Sequence, residues 1–256
     1  MNQKNFEYLT DQLKYHGFGQ ELNEQLRASM QKQLAQFSLQ HKMRFGNDEL
    51  TASLNFQKSA REDLYFFNSY LASLKNYDQS QKVNQLFYMQ RSGSITVKEA
   101  FNLLQGRAVE KQLINRQGDP YQAWVQLDFK NTDQAGNFKI QQFHPNYGYD
   151  LAGVLSRLSI KELDQHQSKA KLLDSLRKGN RQQVTLLDQG VEHKFFIEAS
   201  PQFKGIIAYD HNSVRQQIHA LTDSKQHAPK QAAQHALQAS DADRLARQQE
   251  QGLSAS

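Results

Sequence analysis

The segment LLQGRAVEKQLINRQGDPYQAWVQLDFKN, residues 103–131, is answered further along the chain by SLRKGNRQQVTLLDQGVEHKFFIEASPQ, residues 175–202. Laid on each other, Gly106 meets Gly179, Leu113 meets Leu186, and Gly118 meets Gly190 after one gap. Ala123-Trp124-Val125 then faces Phe195-Phe196-Ile197, and Phe138-Lys139 faces Phe203-Lys204. Each block reads as helix, glycine stop, strand, tight turn, strand, turn, strand. One helix on a three-stranded meander buries too little apolar surface to stand alone, so side-by-side copies sharing a sheet and a core are a physical reason to repeat it. The alternative is agreement between two ordinary α+β segments with common turn residues. Both readings predict the same class: α+β, with repeated helix-plus-three-stranded-antiparallel-meander units and N-terminal helices.

Outward from this pair, periodicity organises the rest. Phe6, Leu9 and Leu13 recur at helical spacing, and the helix is expected to stop at Gly17 and Gly19. Leu22, Leu26 and Met30 mark a second helix. The period then falls to two: Phe37, Leu39, His41, Met43 and Phe45 alternate, GND turns the chain, and Leu50, Ala52, Leu54 and Phe56 alternate back, a β-hairpin. Aromatic strands follow in YFFNSYLASL (65–74) and VNQLFYMQ (83–90). Residues 21–74 thus repeat the order of elements with poor residue matches, and read either as a divergent third copy or as an independent segment. Thr96 and Glu99 form a capping-box pattern ahead of a helix bearing Val97, Ala100, Phe101 and Leu104. Strands are expected at 109–115, 121–129 and 137–143, a helix through Leu151, Val154, Leu155 and Leu158, another in KAKLLDSLRKG, and strands at 182–188, 193–199 and 205–209. The divisions expected are 1–95, 96–165, 166–215 and a tail, 216–256.

Bulk properties narrow the function. The chain has 256 residues, no cysteine and a formal net charge of +5. Disulfides, thiolate metal sites and thiol nucleophiles are excluded. No segment approaches the length of a membrane span, and the N-terminus lacks the apolar run of a leader, so a cytoplasmic protein with no membrane contact is expected. From Thr222 onward there is no aromatic residue, and Lys225, Lys230, Arg244 and Arg247 balance Asp223, Asp241, Asp243 and Glu250. Such a tail cannot bury enough apolar surface to offset its ordering entropy, and a disordered tail is expected. The positive charge belongs to the body, where charge bears on association rather than on fold.

The ordered set GFG (17–19), LNFQKS (54–59), YFFNSY (65–70), LLQGRAV (103–109), YQAWVQLDF (121–129), FHPNYGYDL (143–151), LRKGN (176–180) and FIEASPQFK (196–204) resembles an uncharacterised bacterial domain family typical of proteins encoded in conjugative transposons and related mobile elements. The likeness covers residues 1 to about 215. That family has no assigned catalytic residues, so the resemblance carries none over. Its usual gene neighbourhood implies a role near DNA transfer or processing.

Read for chemistry, the chain offers no nucleotide fingerprint, since KYHGFGQEL lies between helices rather than between a strand and a helix. No HExxH, GxSxG or calcium-loop pattern occurs, and no cofactor or metal is expected. His144, His193 and His211 could meet only through the fold, and a hydrolase or nuclease pairing His144 with Asp150 or Asp210 lacks an evident nucleophile. FHPNYGYDL reads as a corner: Pro145 and Gly148 break the strand, Asn146 closes a turn, Asp150 caps the next helix, and Tyr147 and Tyr149 lay their rings on the core with hydroxyls outward. His144 and Tyr147 are placed to fix the angle between the units.

The functional candidate is basic. In KAKLLDSLRKGNR, Lys169, Lys171, Arg177, Lys178 and Arg181 oppose only Asp174, and Arg107 and Lys111 follow Gly106 much as Arg181 follows Gly179. Side by side, two basic turns would line one edge and neutralise a few phosphates. The expected function is a non-enzymatic accessory protein contacting DNA, weakly and without sequence preference, or a DNA-processing complex. The alternative is a protein-interaction module that binds a partner through a sheet edge or apolar sheet surface.

Overall fold

The computed structural model describes residues 1–75, 82–90, 92–188 and 190–216. The expected tail lies outside the described residues, apart from its first residue. The body is mixed α+β: helices α1 (Gln3–Tyr15) and α2 (Asn23–Gln31); strands β1 (Gln36–Phe45), β2 (Asp48–Lys58), β3 (Tyr65–Lys75) and β4 (Lys82–Tyr88); α3 (Val97–Leu104); β5 (Val109–Ile114), β6 (Pro120–Thr132) and β7 (Phe138–Phe143); α4 (Leu151–Ser156) and α5 (His166–Arg177); and β8 (Gln182–Asp188), β9 (Val191–Ser200), β10 (Gly205–Tyr209) and β11 (Arg215–Gln216). The strands form three antiparallel sheets in the orders β1-β2-β3-β4, β5-β6-β7 and β11-β10-β9-β8. Among the described residues the shared sheet expected between neighbouring units is not formed, and only the middle sheet has three strands.

The first sheet follows from its alternation. Leu39 faces Leu54 and Met43 faces Leu50, with Gly46 turning the hairpin at φ +62°. In β3 the apolar parity switches, from odd at Tyr65 and Phe67 to even at Tyr70, Ala72 and Leu74. A register shift next to Asn55 and Phe56 absorbs the extra residue, so all five side chains reach one face. Phe6, Leu9 and Leu13 of α1 and Leu26 and Met30 of α2 cover that face. Asn5 fastens α1 to the strand, donating to the Tyr65 carbonyl at 3.0 Å while accepting from its N–H at 2.7 Å. The capping box forms as expected: Thr96 Oγ1 accepts from Glu99 N–H, and Glu99 accepts from Thr96 N–H at 2.9 Å.

The middle sheet works on two faces. Val109, Val125 and Leu127 enter the first core with α3, whereas Ala108, Trp124 and Phe143 enter a second core with α4, α5 and β8–β10. That is why Ala123, Trp124 and Val125 are buried in succession, which a strand with one wet face would not allow. Two polar devices replace the missing ladder between the first and middle sheets. The buried Gln85 carboxamide accepts from Phe138 N–H at 2.8 Å and donates to its carbonyl at 3.3 Å, and Leu86 N–H donates to Asn137. A Gln85→Leu substitution is expected to cost about 2 kcal/mol by leaving both Phe138 groups without partners. Urea unfolding followed by tryptophan fluorescence would measure it.

The middle and last sheets meet at a glycine. Gly179 has φ +75°, and a Cβ there would lie 2.7 Å from the Ala108 carbonyl oxygen and 3.1 Å from Asn102 Cβ. The stop of α5 is therefore pressed against the turn that leaves α3. Among the described residues, no helix is long and apolar enough to cross a membrane.

Candidate nucleic-acid interface

That contact decides where the basic residues go. Asn102 is fully buried on α3 and reaches across the junction, donating to the Lys178 carbonyl at 2.6 Å and to Asn180 Oδ1 at 2.9 Å. Its own Oδ1 accepts from Arg107 at 2.6 Å. Arg107 then lies 3.6 Å from the Glu198 carboxylate, which accepts from Arg181 at 2.7 Å and from the Tyr209 hydroxyl at 3.1 Å. The Arg181 guanidinium stacks 3.9 Å from the Tyr209 ring centroid. Arg107 and Arg181, each placed by a glycine stop, do come together. They meet across a buried glutamate rather than along an exposed edge.

Above this knot opens a cleft of about 1020 Å³, with Arg44, Asp48, Lys98, Arg107 and Arg181 in its walls. Lys98 Nζ sits 4.6 Å and 4.7 Å from the centroids of Phe45 and Phe101, whose rings stack on each other. Neither Lys98 nor Arg44 has a carboxylate within ion-pair distance among the described residues. Burial against the rings, with the Arg107 charge second, holds the Lys98 ammonium below the ordinary lysine range. Burial likewise disfavours the Arg107 charge, Glu198 opposing that effect and Arg181 adding to it. Arg107 Nε is buried with no hydrogen-bond partner. An anion entering the cleft would relieve the repulsion and gain donors already in place.

The other basic candidates separate into two groups. Lys111 is not on a surface strip: it is largely buried, with both Glu99 oxygens within 3.1 Å. Arg177 bridges α5 to the middle sheet through Glu110 at 3.2 Å, and also meets Asp174 at 3.6 Å. Lys169, Lys171 and Lys178 are exposed. Lys98 and Arg44 escaped the sequence reading, although Lys98 and Phe101 stand three apart on one helix and share a face.

The stretch FHPNYGYDL forms a corner that clamps the last sheet. His144 stacks on Tyr121 with centroids 5.1 Å apart, and Asn146 lies in a 3-10 turn, Pro145–Tyr147. The tyrosine hydroxyls do not point outward as expected. Tyr147 donates to the Gln202 carbonyl at 2.8 Å and Tyr149 to the Gly205 carbonyl at 2.9 Å, because the corner packs against the β9–β10 turn and brings its carbonyls within reach. Burial pushes the Tyr149 hydroxyl well above the ordinary tyrosine range. Tyr149→Phe is expected to cost about 1 kcal/mol, readable as a lowered urea midpoint. Asp150 occupies the N-cap position of α4 but makes no capping bond, its carboxylate lying in the space a Cβ on Gly153 would fill. Asp210 spends its carboxylate on the N–H groups of Asn212 and Val214. No three histidine, aspartate or glutamate side chains among the described residues are grouped to hold a metal ion. Comparison with protein-family models, with curated proteins and with solved structures finds no match.

Proposed function

We propose that this is a non-enzymatic, cytoplasmic accessory protein of a mobile genetic element, and that the cleft beside Lys98 is where it contacts DNA or a DNA-processing complex. The mobile-element part rests on the motif resemblance. The nucleic-acid part rests on one observation: four cations line or flank a single cleft, and Lys98 and Arg44 have no carboxylate partner among the described residues. Lys178, two residues before the cleft residue Asn180, carries further positive charge at the exposed end of α5. Among the described residues no base-reading element accompanies these cations, so the binding is read as electrostatic and largely independent of sequence.

Fluorescence anisotropy with labelled single- and double-stranded oligonucleotides tests this reading. Engagement of three to four phosphates gives a log–log salt slope of about −3. Binding that is absent at about 50 mM salt defeats it. In that case a protein partner gains ground, with β1 available as a ten-residue edge strand bonded on one side to β2.

We further propose that residues 96–165 and 166–215 derive from one unit. Gly106 and Gly179 both end a helix with positive φ, +80° and +75°, and both are followed by an arginine of the Glu198 cluster.

A further inference from the structure

A second cavity, unconnected with the basic cleft, lies between β4 and the face of the middle sheet. One end of that face, Val109, Val125 and Leu127, is packed into the first core. Beside it the same face carries Lys111 and Leu113 of β5, Tyr121 of β6 and Ile140 of β7, the last in register with Leu127, and these line a space of about 600 Å³ with Leu86 and Tyr88 of β4. Sites for small organic ligands span about 300–1000 Å³ and are mostly apolar with a few polar groups. Tyr88 and Ile140 remain 63 % and 47 % exposed, a cost the fold could have avoided by closing the gap.

The walls are pinned apart instead. At the β7 end, the Gln85 clasp on Phe138 and the Asn137 bond to Leu86 fix the separation. At the β5 end, Gly93 is packed so closely that a Cβ would lie 2.7 Å from the Gln112 carbonyl oxygen, and Ser92 donates to that same oxygen at 3.4 Å. Between these two clasps the apolar surfaces cannot collapse onto each other. The charged group among the described lining residues is the Lys111 ammonium, which spends two of its three N–H groups on Glu99. Glu99 is already engaged at the Thr96 N–H and hydroxyl, so the remaining donor of the pair is cationic.

We propose that this cavity binds a small amphipathic acid, with its apolar body between Tyr88 and Ile140 and its anionic head at Lys111. The binding is independent of the nucleic-acid reading, since none of the cleft residues lines this cavity. The probe is 8-anilinonaphthalene-1-sulfonate, followed by fluorescence on the full chain, with N-phenyl-1-naphthylamine as its uncharged counterpart. One saturable site is expected, with a Kd on the order of tens of micromolar. Decanoate should displace the probe. Ile140→Glu and Tyr88→Glu, on opposite walls and both exposed, are each expected to weaken binding about tenfold or more with an unchanged thermal midpoint. The uncharged probe is expected to bind about fivefold weaker or less tightly still. Equal affinity for the two probes overturns the anionic assignment. Unchanged affinity in both wall variants, or binding without saturation, overturns the site.

Discussion

Gly179→Ala is expected to destabilise the protein by about 3 kcal/mol, the sum of a strained backbone and a blocked contact. The left-handed backbone at φ +75° alone costs a residue with a Cβ about 1 kcal/mol. The larger part comes from the neighbours. The new methyl would meet the Ala108 carbonyl oxygen at 2.7 Å, Val109 Cγ2 at 3.0 Å and Asn102 Cβ at 3.1 Å, and the first of these is backbone that cannot rotate away. Gly118→Ala is the control, because its φ is +94° with no atom within 4 Å of the new Cβ. It should cost about 1 kcal/mol. Urea unfolding of the two variants separates strain from collision. Equal losses would mean that α5 and the α3–β5 turn are not in close contact.

Glu198→Ala is expected to cost about 3 to 5 kcal/mol, because it leaves Arg107 and Arg181 facing each other with their common carboxylate removed. Arg107 is the more affected, its side chain being only 11 % exposed. The Tyr209 hydroxyl also loses its acceptor. Combining Glu198→Ala with Arg181→Met should recover part of the loss by removing one of the two repelling charges, a coupling that a double-mutant cycle reads directly. The same glutamate makes a second, opposite expectation. Removing it raises the positive potential of the cleft, so nucleic-acid affinity should rise while stability falls. A structural role alone would lower both.

How far these features could be read in advance differs from element to element. The β1–β2 hairpin was legible because its side chains alternate on both sides of GND, and α3 because Thr96 and Glu99 announce its start. The bulge in β3 was not read, although the change of apolar parity between Phe67 and Tyr70 marks it. The separation into three sheets was not legible. It depends on Gln85 substituting for a backbone ladder at Phe138, and a glutamine carries no local sign of so distant a partner. The site was half legible. Arg107 and Arg181 stood out as the residues following two glycine stops, but their charge is shared with Glu198 on β9. Lys111 shares its charge with Glu99, on the preceding helix. The cations of the cleft that form no ion pair among the described residues, Lys98 and Arg44, lie in segments whose pattern announced a helix and a hairpin, and the packing of Phe45 on Phe101 brings them to one cleft.

The most direct test compares two charge reversals at about 50 mM salt, one in the cleft and one on the outer face of α5. Lys98→Glu with Arg44→Glu breaks no ion pair among the described residues and, with the loss of the Lys98 contact to Phe45 and Phe101, should lower the thermal midpoint by only about 2–4 °C. It is expected to weaken oligonucleotide binding by about thirtyfold or more and to flatten the salt dependence. Lys169→Glu with Lys171→Glu should weaken it only a few-fold. If the cleft variant binds as the unaltered protein does, or the α5 variant loses more, the cleft is not the nucleic-acid interface.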